Sequence, residues 1–379
     1  MRIKSQITLS ILLTVINLFT SIGCKDEIVD PLSNQSLQNA INDIAEKYVN
    51  VGAMVGIINK QQDELILSYG TKTINSNDPP DENSVFDIGS ITKTFTAILA
   101  AGEYLSGTIQ DDTVGHYLPT DKVTMPTKEE TQITFINLLT HTSGIPRTPH
   151  ETGSTFPLPA GYNSENPYAA YTTDEVYDYL TNYCELEFTP GTWWEYSNTS
   201  FGLVGHVIGL VDGTSYQTVL QRNIFDVLGM DNSSLFLTSQ QQSNLALGHN
   251  SNNNIVSFYT ANDIFQGCGM IKSNLSDMLK YLEANLGLTD TPLRNAMDVT
   301  YQVVLHQGSM GDQGLAWWIL DLEDGQKIIY SAGGTNGHSS FIGFNQQSLT
   351  GVIILLNSNK HDTASIEMGK EIMMAIKKY

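Results

Sequence analysis

Apolar residues at Leu37, Ile41, Ile44 and Tyr48 recur at helical spacing in LQNAINDIAEKY, which predicts an amphipathic helix over 37–48. Two short apolar runs follow, VGAMVGIIN and ELILSYG, separated by a polar turn near Lys60 to Asp63, and they read as strands. Four more such runs, GLAWWILD, QKIIYSAG, HSSFIGFN and TGVIILLN, precede a terminal helix from about Asp362. Asn336-Gly337 predicts a type I′ hairpin turn, because that pair tolerates positive φ. Between the two β-rich blocks lie helical patches and long loops rich in Gly, Pro, Asn and Thr, 147–170 among them. The layout predicts an α/β (α+β) fold. An antiparallel sheet is built from about 50–75 and 314–379 and flanked by helices. A mostly helical subdomain, about 90–310, is inserted, and any functional site is expected between the two.

The first residues read as an address. Arg2 and Lys4 precede the 16-residue apolar run ITLSILLTVINLFTSI, then Gly23 and Cys24. A spanning helix needs ~20 residues, so a secretory signal is the better reading. The Gly-Cys ending resembles a bacterial lipoprotein signal over 1–23, with Cys24 lipidated and 24–36 a polar tether to a domain over 37–379. Ser21 departs from the usual leucine, and ordinary secretion with Cys24 removed is the alternative. The expected location is the bacterial cell envelope, lipid-anchored at the outer membrane or cell surface through Cys24, or else secreted or periplasmic.

Lys plus Arg total 19 against 40 Asp plus Glu, a net charge of −21, so nucleic acid is not an expected partner. Three cysteines, Cys24, Cys184 and Cys268, are too few for an all-cysteine zinc site or a disulfide framework. Whether Cys184 and Cys268 pair is left open. His141 and His150 lack metal-ligand spacing and no H-E-x-x-H occurs, so neither metal nor cofactor is expected.

Candidate chemistry begins in FDIGSITKTFTAILA. Ser90 and Lys93 lie three apart at the start of a helix-favouring segment and share a face. A serine hydroxyl needs an adjacent base. A lysine serves only when uncharged, which costs roughly 4–5 kcal/mol near neutrality, within the reach of burial. Phe86, Ile88, Phe95 and Ile98 supply apolar surroundings. In PGTWWEYSN, Tyr196 and Asn198 set a proton-shuttling phenol beside an orienting carboxamide. Neither motif is specific alone; Tyr48-Val49-Asn50 repeats the second spacing.

Five segments in order carry more weight: FDIGSITKTFTA, ITFINLLTHTSGIP, PGTWWEYSNTSFGLVGHVIG, FDVLGMDNSS and GCGMIKSNLSDMLKYL. Together they resemble the serine β-lactamase-related family of class C β-lactamases, DD-peptidases and esterases, from about Gln38 to the terminal helix. The resemblance implies Ser90 as acylated nucleophile, Lys93 as base or relay, and Tyr196 as partner base and then acid. It implies that Asn198 holds substrate and that the Gly334 and Ser90 amides form an oxyanion hole. The family's third motif, Lys-Thr-Gly or His-x-Gly, falls on Ser331-Ala332-Gly333. Gly333 persists, whereas Ser331 replaces the cation. A charge-assisted hydrogen bond contributes about 1.5–3 kcal/mol against about 1 for a neutral one, so weak action on β-lactams and carboxylate-ended peptides is expected.

His338 reads as an ordinary strand residue, with replacement of that cation as the alternative. His141 reads as a structural hydrogen-bonding residue in its turn, the four tryptophans as packing with the lining of a pocket as the alternative, and Cys268 as a small buried thiol. Gly337-His338-Ser339-Ser340-Phe341 starts like a nucleophile elbow but lacks the final glycine, which disfavours an α/β-hydrolase. The expected function is an envelope serine hydrolase acting through an acyl-enzyme on a small-molecule or peptide substrate, an ester or D-amino-acid amide. The alternative is an inactive module of the same fold that binds peptidoglycan fragments.

Overall fold

The computed structural model describes Leu32 and residues 34–378, apart from 111, 152, 307–310, 323, 324 and 362; Cys24 and the leader lie outside them. Helix α1 (Gln35–Tyr48) begins where the Asn34 side chain accepts from the Ser36 amide, and its apolar stripe of Leu37, Ile41 and Ile44 is buried. Strands β1 (Gly52–Ile58) and β2 (Glu64–Gly70) follow. The turn between them is held by Asn59 Oδ1, which accepts from the Gln61 and Asp63 amides, with Gln62 at positive φ. The other strands of the sheet are β3 (Leu305–His306), β4 (Asp312–Gln313), β5 (Trp318–Asp321), β6 (Lys327–Gly334), β7 (Ser339–Asn345) and β8 (Thr350–Leu356).

All pair antiparallel, in the order β2-β1-β8-β7-β6-β5-β4-β3. The two chain ends therefore share the centre of the sheet, with Ala53 opposite Leu356 and Ile58 opposite Gly351. One face is covered by α1 and the terminal helix, Ala364–Lys378, which close Val55, Ile57 and Ile354 under Leu37, Ile41, Met368 and Ile372. The other face packs on helix Leu275–Leu286 and the inserted region. Inside that region helix α2 (Thr92–Ser106) is buried at every residue from Thr92 to Ala101, and Phe95 stacks on Tyr281 with ring centres 3.9 Å apart. The fold class expected from sequence is the one observed.

Two local expectations fail. Only Trp318–Asp321 of GLAWWILD is strand, because Ala316 takes positive φ and Gly314 lies where a Cβ would be 2.3 Å from Thr300 O. Neither Asn336 nor Gly337 has positive φ, so the hairpin is not type I′. The Thr335 hydroxyl accepts from the Gly337 and His338 amides instead, and a Cβ on Gly337 would fall 2.8 Å from Gly248 Cα. Glycine is needed there for close approach, not for its φ.

Candidate active site

Ser90 lies in a short 3₁₀ turn, Gly89–Ile91, that runs into α2. The loop is clamped to β6 and β7: Ser340 Oγ donates to Ile88 O at 2.8 Å. Gly89 has φ of 49°, and a Cβ there would lie 2.7 Å from Gly334 N. A Cβ on Gly333 would meet Ile88 O at 2.0 Å. These contacts set the Ser90 turn directly against the end of β6. Thr335 N donates to His338 O, so ladder alternation turns the Gly334 amide away from β7, toward the outer edge. Among the described residues no strand pairs with that edge over 331–334, because β5 pairs with β6 only from Lys327 to Tyr330.

Lys93, one helical turn after Ser90, is 3% exposed. Its Nζ donates to Asn198 Oδ1 at 2.8 Å and to Cys268 O at 2.5 Å, both pure acceptors, and faces Ser90 Oγ at 3.1 Å. Two of the three positions on the amine are therefore tied, and the third addresses the serine, as an N–H or as the lone pair left when that proton departs. Ser90 Oγ also lies 2.6 Å from Tyr196 OH. Lys93 Nζ and the Arg147 guanidinium each stand 4.8 Å from the centre of the Tyr196 ring.

The Tyr196 loop enters helix Asn198–Asp212 through an N-cap, Ser197, whose Oγ accepts from Ser200 N and donates to Pro146 O. His141 sets the height of this loop. It takes positive φ, its Nδ1 accepts from Ser197 N at 3.1 Å, and its ring lies 4.4 Å from that of Tyr196. Burial, reinforced by Lys93 and Arg147, holds the imidazole well below its usual pKa, so it is the neutral acceptor that this bond requires. The structural reading of His141 holds.

Ser90, Lys93, Tyr196 and Asn198 are thus brought into one contact set, and Ser331 lines the same cleft. Asn198 Oδ1 takes Lys93 and its Nδ2 donates to Tyr168 OH at 2.6 Å, so the carboxamide orients the amine while it also lines the groove beside Ser90. Tyr168 is held well above the usual tyrosine range by burial, with Cys268 and Tyr259 adding to it, and stays a neutral phenol. Cys184 and Cys268 are both free thiols, the second buried and pushed up to about 11 by burial. Trp317 is core, whereas Trp318 faces the cleft and its ring lies 5.8 Å from that of Trp194.

His338 is absent from the cleft. It is buried behind it, its Nε2 donating to Ala246 O at 2.8 Å and its Nδ1 lying 3.7 Å from Asp87 Oδ2. Burial lowers its pKa, with Asp87 opposing, so it does not supply the missing cation. Asp87 Oδ1 is also 3.7 Å from Lys272 Nζ, whose other contacts are the carbonyls of Leu235, Tyr259 and Met270. Burial pulls the Lys272 ammonium below its usual pKa and Asp87 only partly restores it. This buried cluster joins the segment before Ser90, the segment after Cys268 and the β6–β7 turn.

Residues 37–372 match the family model described as Beta-lactamase. The chain belongs to the beta-lactamase family. It is a serine hydrolase by that membership. A beta-lactamase of Pseudomonas fluorescens is 24% identical, covering 93% of this chain and 97% of that protein. The D-alanyl-D-alanine-carboxypeptidase/endopeptidase AmpH of Escherichia coli K12 is 23% identical, covering 89% and 90%. Among solved structures, a class C beta-lactamase superposes with a TM-score of 0.75 at 22% identity, covering 89% of this chain and 96% of that one, and shares the fold.

The groups that sequence reasoning missed here are Arg147, Tyr168 and the Cys268 carbonyl. A main-chain acceptor leaves no side-chain signature, and Arg147 and Tyr168 lie in or beside the long loop from 147 to 170, where no period marks them.

Proposed function

We propose that this hydrolase works through an acyl-enzyme on Ser90, with an ester or a D-amino-acid peptide amide as substrate. The observation that carries the reading is the three-way contact of Ser90 Oγ with Tyr196 OH and Lys93 Nζ. Ser90 Oγ attacks the carbonyl carbon, and its proton passes to the Tyr196–Lys93 pair. The oxyanion forms against the Ser90 and Gly334 amides, each such donor being worth ~2.7–4 kcal/mol. The carbon–leaving-group bond then breaks as Tyr196 returns the proton to the leaving atom. Water, deprotonated by the same pair, releases the acyl group and restores Ser90. The carboxypeptidase and β-lactamase activities named for the relatives support acyl transfer from amides. Ser331 demotes β-lactams.

Fluorophosphonate labelling and a chromogenic short-chain ester test the assignment. Label and turnover are expected in the native protein and are lost in Ser90→Ala; their persistence in that variant refutes the role of Ser90. The neutral Ser331 favours one second reading, a peptidoglycan-binding module that has lost its chemistry. Tight binding of muropeptides without acylation by any probe would establish it instead. Residues 1–23 are proposed as a lipoprotein signal that places the enzyme in the envelope through a lipid on Cys24. Metabolic labelling with an alkyne fatty acid should mark the native chain and spare Cys24→Ala. Among the described residues no helix is long and apolar enough to cross a membrane.

A further inference from the structure

Ser90 stands where two grooves meet. One, of about 440 Å³, is lined by Arg147, Tyr168, Asn198, Tyr259 and the chain at Gly334 to Asn336. The other, of about 640 Å³, passes Tyr196, crosses the outer edge of β6 at Ser331 and Ala332, and reaches Trp318, Leu320 and Lys370. The first holds the outward amide of Gly334 and so takes the carbonyl oxygen. The second holds Lys93 and Tyr196, the groups in contact with the Ser90 hydroxyl, and so faces the atom that must be protonated as it departs. The geometry therefore divides the substrate, with the acyl part in the first groove and the leaving group in the second.

The second groove has its own chemistry. Trp318 and Leu320 alternate along β5 and present one face, with Trp318 opposite Tyr330 in register. Lys370, half-buried on the terminal helix, sets its Nζ 4.6 Å above the Tyr330 ring. Both nearby acids on that helix are engaged: Glu367 accepts from Thr363 Oγ1, and Glu371 takes Lys47 and Tyr48. Among the described residues Lys370 has no carboxylate partner within ion-pair distance, in a chain where 40 acids face 19 bases. An unpaired ammonium at the end of an apolar strip fits an anion carried on an apolar body.

We propose that Lys370 is a specificity residue, pairing with a carboxylate at the far end of the leaving group, so that the enzyme prefers substrates whose leaving group has an apolar body and an anionic terminus. This rests on the acyl-enzyme reading above. It moves the carboxylate-binding charge from the strand position of Ser331 to the terminal helix, and it revises the expectation that carboxylate-ended substrates are disfavoured.

The acetate esters of 3-(4-hydroxyphenyl)propanoate and of its N-methyl amide have phenol leaving groups of matched acidity and differ in the terminal charge. The readout is the ratio of kcat/KM for the anionic ester to that for the neutral one. In the native enzyme the ratio should exceed one and fall with added salt. It should drop about five- to tenfold in Lys370→Met and be kept in Lys370→Arg, the range expected for a partly desolvated ion pair. A ratio at or below one, or one unchanged in Lys370→Met, overturns the Lys370 assignment while Ser90-dependent turnover of the neutral ester leaves the acyl-enzyme reading standing. Failure of both esters together with absent fluorophosphonate labelling overturns that reading and this proposal with it. Labelling without turnover of either ester overturns the leaving-group assignment alone.

Discussion

Replacing Lys272 by methionine strands the Asp87 carboxylate beneath the Ser90 turn. The two side chains are 1% and 0% exposed and their charges lie 3.7 Å apart. Attraction at that distance is about 4 kcal/mol at an effective dielectric near 20. Removing one partner of a buried pair costs roughly 3–5 kcal/mol, because the survivor keeps its desolvation without its counter-charge. Methionine also abandons the carbonyls of Leu235, Tyr259 and Met270, so the single variant alone mixes two losses. The double variant Asp87→Asn with Lys272→Met abandons the same carbonyls but holds no stranded charge, so the difference between the two isolates it. We expect the single variant to be about 3 kcal/mol less stable than the double. With an unfolding entropy near 2.1 cal/mol/K per residue over the matched span 37–372, that is roughly 4 °C in Tm. Scanning calorimetry of the three proteins at neutral pH measures it. A single variant that melts together with the double refutes a charged pair at this position.

Three further outcomes are expected. The folded pKa of His141 is depressed, so its stabilising contribution is complete above about 6.5 and is lost as pH falls, when the unfolded chain takes up a proton that the fold refuses, at up to ~1.4 kcal/mol per pH unit. His141→Asn keeps the positive φ and an acceptor for Ser197 N. Urea titrations at pH 7.5 and 5 should show a shallower acid loss than in the native protein, while His338, depressed in the same direction, contributes to both and cancels. Gly333→Ala should abolish ester turnover and lower the Tm, since its Cβ would lie 2.0 Å from Ile88 O and 2.8 Å from Ser90 N; turnover within tenfold of native would count against that clamp. Ser331→Lys should raise acylation by penicillins in stopped-flow traces, and no gain would mean that charge at this strand position is not what limits them.

The parts of the molecule that could be read from sequence are those whose cause is local. The alternation of ELILSYG appears as alternating exposure along β2, and the unbroken apolar run of VGAMVGIIN as the fully buried β1. Ser90 and Lys93 share a helical turn, so their proximity follows from spacing alone. Tyr196 reaches them only because the fold closes a separation of more than a hundred residues, and resemblance rather than spacing announced it. Asn198 shows the limit on roles: its type was legible, but its partner, Tyr168, was not. Lysine in a sequence reads as surface, so neither the buried Lys272 nor the cleft-lining Lys370 stood out. His338 reads as a strand residue but lies in the turn just before β7, and its neighbours behind the cleft come from segments more than sixty residues away.

The pairing of β1 with β8 has a temporal consequence. Residues 53–58 must wait for residues 351–356, roughly 300 positions later, before the middle of the sheet can close. Closing so long a loop delays the reward until nearly every residue has left the ribosome. Until then the nascent strand exposes bare hydrogen-bonding groups on the side that β8 will fill, an invitation to mispairing. A stop codon anywhere before the last strand therefore yields no partial enzyme, even though it spares Ser90, Lys93 and Tyr196.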